Sequence, residues 1–299
     1  MAFRNIIIEN PAYISIDRGR LTVRTGQIHP IPLEDISALL LESQQSTITT
    51  AALSRLGQCG CAVYVCDEKH MPCAVLTPYQ QHSRSLTVLR TQLDTTEPRK
   101  KQLWQSVVKA KLTNQARCLN LAERSSEAAA LLSYAQRVRS GDPENVEATG
   151  AQLYFPALFG EDFTRGRDCG INSALNYGYA ILRGAMARYL CVYGFLPAFG
   201  LHHRSTLNAF NLADDLMEPF RPVIDRQVWV SFQDTSELTP QHKRQLFNCL
   251  NLEILSGGQK HSVSYAMERL VKSLGQALQD KTQELLLPQL LELRQHTYE

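Results

Sequence analysis

The period of hydrophobic and polar positions changes once along this chain, near Pro78. Before it the apolar runs are short and β-branched or alternating: Arg4 to Glu9 (RNIIIE), Ala12 to Ile16 (AYISI), Leu21 to Arg24 (LTVR), Ile36 to Leu41 (ISALLL) and Cys61 to Cys66 (CAVYVC). Runs of this kind, broken by Asn10-Pro11 and by Asp17-Arg18-Gly19, predict strands. Between the last two, Thr47-Ile48-Thr49-Thr50 leads into AALSRLGQCG. Thr49 or Thr50 can cap a short helix there, ending at Gly57 or Gly60.

Beyond Pro78 apolar residues recur every three or four positions over Lys101 to Glu123, Ser126 to Arg139, Ser173 to Tyr193, Gln241 to Leu255 and Ser262 to Leu287, which predicts helices. The expectation is an α+β chain. A small β-rich domain over residues 1–78, β-sandwich-like with one short helix, is followed by a polar connection over 79–95 and a larger all-α domain over 96–299. A length of 299 residues accommodates two such units.

Composition adds little. At 44% hydrophobic and 20% charged the chain reads as an ordinary globular protein. Thirty-one basic against 29 acidic residues do not by themselves announce a nucleic-acid binder. Their distribution is less even: Arg84, Arg90, Arg99, Lys100, Lys101, Lys109, Lys111 and Arg117 form one basic stretch, and Arg165, Arg167, Arg183 and Arg188 another. These are solvated helix faces unless a metal site acting on nucleic acid lies beside them. Without eighteen consecutive apolar residues or a signal-peptide core, the expectation is a cytoplasmic protein with no membrane association. Its eight cysteines should then be reduced, and Cys59, Cys61, Cys66 and Cys73, which lack paired CxxC spacing, read as small core residues.

Two stretches carry candidate chemistry. In SGDPENVEATGAQLYFPALFG, Asp142-Pro143 suits a helix start, which puts Glu147, Ala151 and Tyr154 on one face. On that segment alone, a surface glutamate near a helix N-terminus is the favoured reading. HHRSTLNAFNLADDLMEPFRP, from His202 to Pro222, is stronger, because buried carboxylates are costly unless paired or bound to a cation. If Asn211 caps a helix, Asp215 and Glu218 share a face at i, i+3, with Asp214 competing at i, i+4 from Glu218. Pro219 should bend or end the helix beside the acids. His203 precedes it on a polar connection, and one imidazole with two or more carboxylates suits manganese or magnesium rather than zinc. The rival reading pairs the acids with Arg221 and Arg226, and spacing alone does not decide between them.

The phrases IPLEDISALLLES, TITTAALSRL, VYVCDEKHMPCAVLTP, EATGAQLYFPALFG, INSALNYGYAILRGAMAR and GLHHRSTLNAFNLADDLMEPFRPVID resemble, in the same order, the CRISPR-associated spacer integrase family, in particular the branch encoded with single-protein RNA-guided effectors. The resemblance implies a β-rich dimerisation domain and a helical domain that holds Mg2+ or Mn2+ on Glu147, His203 and Glu218, with Asp215 at the preceding acidic position as a further catalytic or supporting residue. His202 is the ambiguous neighbour of His203.

The implied activity is that of a DNA endonuclease and integrase of CRISPR adaptation, inserting captured duplexes into the repeat array by attack of a 3′-hydroxyl. The implied assembly is heterohexameric: homodimers of this chain flank a dimer of a small companion adaptation protein on double-stranded DNA, with further type II adaptation factors. Because captured DNA has arbitrary sequence, contacts should fall on phosphates. Arg84, Arg165, Arg167 and Arg221 are the candidates, Arg221 with a structural ion pair as its alternative role. A DNA-binding scaffold subunit and a branched-DNA repair nuclease are the competing functions.

Overall fold

A computed structural model of the chain describes residues 4–78, 83–232 and 237–297, so residues 79–82 of the expected connection lie outside the described residues. The N-terminal elements are β1 (Arg4–Ile8), β2 (Tyr13–Asp17), β3 (Arg20–Arg24), β4 (Ile28–Pro32), β5 (Ile36–Leu41), β6 (Thr47–Ile48), α1 (Thr50–Gln58), β7 (Ala62–Cys66) and β8 (Pro72–Leu76). They form two four-stranded sheets, ordered β1-β5-β7-β8 and β4-β3-β2-β6. β1, β5 and β7 run parallel, whereas β2, β3 and β4 form an antiparallel meander in which Ile14 faces Val23 and Leu21 faces Ile31. Ile14, Leu21, Val23, Ile36, Leu39 and Val63 bury one core with Ala52 and Leu56 of α1. Thr49 caps α1 by accepting from the Ala52 amide at 3.2 Å.

The chain continues through α2 (Ser85–Asp94), α3 (Glu97–Leu121), α4 (Ser125–Arg137), α5 (Val146–Phe159), α6 (Gly170–Val192), α7 (Asn211–Met217), α8 (Arg221–Ser231), α9 (Pro240–Phe247), β9 (Leu252–Ser256), β10 (Gln259–Ser262), α10 (Val263–Gln279) and β11 (Gln289–Gln295). α3 and α6 are buried along most of their length, with Trp104, Val107, Val108 and Leu112 of one and Tyr177, Ile181, Leu182 and Met186 of the other almost wholly hidden. The second face of the β1-β5-β7-β8 sheet belongs to this helical core through Ala38, Leu40, Ala62, Tyr64 and Cys66. Tyr64 donates its hydroxyl to the Ile181 carbonyl at 2.9 Å, and Lys243 pairs with Glu42 at 2.6 Å in a buried bridge. The chain on the two sides of residue 78 therefore shares a core along one face of the β1-β5-β7-β8 sheet.

Several sequence expectations need correction. The C-terminal part is not all-α: β10-β9-β11 is an antiparallel sheet. Gly257 and Gly258, at φ 60° and 77°, make the tight turn between β9 and β10 that L-residues resist. The helix expected to reach Leu255 stops at Phe247, because Leu252, Ile254 and Ser256 alternate inward as a strand does. The helix expected to reach Leu287 ends at Gln279, and the tail returns to pair with β9. α2 occupies most of the connection. Helix α5 begins at Val146 rather than Pro143, because Asp142 and Asn145 adopt positive φ, and the Asp142 carboxylate caps it by accepting from the Val146 and Glu147 amides at 2.9 and 3.0 Å. All eight cysteines are free, but Cys59 and Cys73 are exposed rather than in the core. No helix among the described residues is long and apolar enough to cross a membrane.

Three helices meet at Asp225 of α8, which is buried and accepts from Tyr154 of α5 at 3.0 Å and from Tyr179 of α6. Burial pushes this carboxyl up to about 6, against the opposing pull of the two hydroxyls and of Arg165 and Arg221. A carboxyl whose folded value is raised favours the native state fully below its unfolded value near 3.8, and that contribution disappears as the pH climbs through about 6. In chemical denaturation, the stability of wild type relative to Asp225→Asn should accordingly rise as the pH falls from 7 to 4, by on the order of 3 kcal/mol. A difference independent of pH would refute this role for Asp225.

Candidate metal centre

Four parts of the chain converge here: α3 with Lys111, α5 with Glu147, the α6–α7 loop with His202 and His203, and the α7–α8 corner with Asp214, Asp215, Glu218 and Arg221. Proline acts at the corner as expected. α7 ends at Met217, and a single 3-10 turn over Glu218–Phe220 carries the chain into α8. Asn211 does not cap α7; it is its first residue, and its side-chain amide donates to the carbonyls of Ala198, Ser205 and Asn208 at 3.0, 2.9 and 3.1 Å, tying the loop to the helix.

Asp215 is completely buried and fastens that loop. Its carboxylate accepts from the backbone amides of Leu201 at 2.6 Å, His202 at 2.9 Å and His203 at 3.3 Å, and lies 2.6 Å from the His203 Nδ1. A Cβ on Gly200 would stand 2.7 Å from the Asp215 carboxylate and closer still to the His203 carbonyl, so only glycine permits this approach. With its oxygens engaged by these donors, Asp215 is placed behind His203, where it matches the supporting one of its two expected roles. The Asp215 hydrogen bond raises the His203 imidazole above its ordinary value despite burial. It also selects the Nδ1–H tautomer, leaving Nε2 as an acceptor.

The two histidines are thereby distinguished. His202 stacks on Trp104 with ring centroids 4.4 Å apart, and burial pushes it below its ordinary value. His203 meets Trp104 edge-on at 5.7 Å, and its hydrogen bond to Asp215 runs through one ring nitrogen, Nδ1.

Glu147 and Glu218 meet at a residue that motif reading did not single out. The Lys111 ammonium pairs with Glu147 and lies 2.5 Å from Glu218 Oε2, while Arg221 approaches Glu218 Oε1 at 2.8 Å. Gly150, one turn beyond Glu147, lets α5 press on Leu112 of α3, where a Cβ would overlap the leucine methyl. Burial alone pushes the Glu218 carboxyl up, but Arg221 and Lys111 outweigh it and hold the group below the usual range. Lys111, itself disfavoured as a cation by burial, is held above its ordinary value by Glu218 and Glu147. A signal for Lys111 does exist in the sequence: it falls four residues after Val107 and seven after Trp104, inside the buried stripe of α3.

This chemistry fits a hard divalent cation. Two carboxylates already share one positive charge, and Glu218 Oε2 receives no aligned hydrogen bond among the described residues, so its lone pairs are answered by charge alone. Among the described residues no three His, Cys, Asp or Glu side chains close on a common point, so the expected ligands are neighbours here rather than a finished cage. Asp214 is engaged elsewhere, with Arg183 at 2.6 and 3.0 Å and with Asn208 at 2.8 Å.

The four candidate DNA-contacting arginines separate in the same way. Arg221 packs against Glu218 and the ring of Tyr179 at 4.4 Å. Arg165 pairs with Asn172, donates to Asn176 at 2.8 Å and covers Phe155 and Tyr179 at 5.5 and 5.3 Å. Both hold structure. Arg84 and Arg167 are exposed.

Residues 6–250 match the family described as CRISPR associated protein Cas1. The chain is 42% identical, over 304 residues and the full length of both proteins, to the CRISPR-associated endonuclease Cas1 of Neisseria meningitidis serogroup C (strain 8013). Its fold is similar to a casposase bound to integration product, with TM-score 0.78 and 19% identity over 95% of this chain and 92% of that one. It is also similar to a chain of a Cas6-RT-Cas1–Cas2 complex, with TM-score 0.73 and 19% identity over 97% of this chain and 36% of that one.

Gly200→Ala should cost about 1–3 kcal/mol, because the intruding methyl forces Asp215 off the amides it satisfies. Histidine nitrogen spectra should show a single His203 tautomer in wild type and a mixture in the variant. Unchanged stability and an unchanged spectrum would show that the loop does not depend on Asp215.

Proposed function

The chain belongs to the Cas1 family of CRISPR-associated proteins, and from that premise we propose that it is a divalent-metal-dependent DNA endonuclease and integrase that inserts short duplexes into a CRISPR repeat array. The observation that carries this reading is the meeting of Glu147 and Glu218, from separate elements, on the Lys111 ammonium, with His203 near enough for both carboxylates to raise its pKa. Glu147, Glu218 and His203 Nε2 would hold Mg2+ or Mn2+. When bound, such an ion lowers the pKa of an attacking hydroxyl and neutralises charge growing on the phosphate.

The protein's own residues supply orientation. Asp215 holds the His203 ring through Nδ1, which leaves Nε2 for the ion. Arg221, fixed between Glu218 and Tyr179, keeps Glu218 ionised in a buried setting. The reaction exchanges one phosphodiester for another: the 3′-oxygen of the incoming strand bonds to phosphorus as the repeat-strand P–O bond breaks. No external energy source is needed. With water as nucleophile the same displacement is hydrolysis.

Charge on DNA is met by arginines rather than by base-reading pairs, and Arg84 and Arg167 are the exposed members of the expected set. The working assembly is heterohexameric, with homodimers of this chain joined through the β-rich domain and flanking a dimer of the companion Cas2, as the likeness to a chain of a Cas1–Cas2 complex supports. It acts on double-stranded DNA in the prokaryotic cytoplasm.

On a supercoiled plasmid carrying the cognate repeat, a 3′-hydroxyl duplex should be joined in the presence of Cas2 and Mg2+ or Mn2+. His203→Ala and Glu218→Ala should each lower joining by at least about 100-fold, the upper end of what loss of an outer-shell partner costs, while DNA binding persists. Joining that survives both substitutions would point instead to a scaffold subunit. Replacing Arg84 or Arg167 by alanine should flatten the dependence of log affinity on log salt by about one unit each. An unaltered slope would exclude them from the DNA path.

A further inference from the structure

Lys111 enters the sequence as one member of a basic run, yet only 7% of it is exposed, and a lysine that deep is costly unless its charge is answered. Glu147 and Glu218 answer it, and they are the carboxylates assigned above to the metal, on which reading this inference rests.

The charges of Glu147 and Glu218 are matched without a metal. Two carboxylates, Glu147 and Glu218, face two permanent cations, Lys111 and Arg221. The neighbouring acids are satisfied separately, Asp214 by Arg183 and Asn208, and Asp215 by three amides and His203. A divalent ion entering beside these pairs would bring two positive charges close to an ammonium that already touches the same oxygens, with only the Asp215 carboxylate left to offset them. Lys111 belongs to the buried stripe of α3 together with Val108 and Leu112. Phosphate oxygens from bound DNA would restore the balance.

We propose that Lys111 is a resident counter-ion that makes metal loading conditional on DNA. It holds Glu147 and Glu218 together in the metal-free protein and competes with a divalent ion for their oxygens. Both cations are retained once DNA phosphate brings in negative charge. Metal binding is thus weak in the free protein, and full loading coincides with a docked substrate.

The test is Mn2+ binding to the full-length protein, read from the electron paramagnetic resonance of free Mn2+, with and without a 3′-hydroxyl duplex. Without DNA, Lys111→Met should bind Mn2+ at least about tenfold more tightly than wild type, since a close charge pair is worth that much or more. Lys111→Arg, which keeps the charge, should stay weak. Adding the duplex should tighten binding to wild type strongly and to Lys111→Met little. Lys111→Gln, neutral but still a hydrogen-bond donor, gives the same comparison if the methionine variant does not fold.

Binding by Lys111→Met and Lys111→Gln that is no tighter than wild type without DNA would overturn the proposal. Glu147→Ala separates the two ways it can fail. If Mn2+ binding to wild type with DNA is lost in Glu147→Ala but the Lys111 variants behave as wild type, the metal site stands and the counter-ion role falls. If Glu147→Ala binds Mn2+ as wild type does, the metal-site reading falls and takes this inference with it.

Discussion

A carboxylate removed from water must be met by positive charge or by hydrogen-bond donors, and between Asp214 and Asp225 this chain buries four of them. Each is met differently. Asp214 takes a two-point bond from Arg183 of α6, Asp215 takes loop amides and an imidazole, Glu218 takes Lys111 of α3 and Arg221, and Asp225 takes two tyrosine hydroxyls from α5 and α6. The α7–α8 segment thereby joins the central helices to one another. Removing one partner leaves a buried carboxylate under-compensated, which costs more than the contact itself contributes.

The same constraint shapes the site. Asp215 cannot serve both as an anchor for backbone amides and as a ligand, so the fold spends it on aiming His203. Glu218 cannot be buried without compensation, so it comes with Arg221 and Lys111 attached, and the two glutamates are held as neighbours before any ion arrives. The same need for compensation draws Glu147 of α5 to Lys111 of α3. It also accounts for the close approach of α5 to α3, because Gly150 is what lets Glu147 reach an ammonium projecting from the neighbouring helix.

Local features were legible in the sequence where local physics controls them. β-branched alternation marked β1, β2, β3, β5 and β7, Thr49 marked the start of α1, and Pro219 marked the corner beside Glu218. The third sheet was missed although Gly257-Gly258 signals a tight hairpin, because Leu252, Ile254 and Leu255 satisfy a helical spacing as readily as a strand one. β11 depends on pairing with a strand more than thirty residues earlier, which no local pattern reports. The role of Asp215 stayed open between catalytic and supporting because the spacing i, i+3 shows which side chains share a face, not which of them accept from backbone amides. Lys111 was hidden among other lysines and arginines, since its partners come from residues 36 and 107 positions further on.

The most direct test of the account is anomalous diffraction from crystals of the protein with Mn2+ and a 3′-hydroxyl duplex. A single strong peak in coordination contact with Glu147, Glu218 and His203 Nε2, with Asp215 still hydrogen-bonded to the far side of that imidazole, is the expected result. A peak coordinated instead by Asp214 or Asp215, or one remote from Glu147, would contradict it.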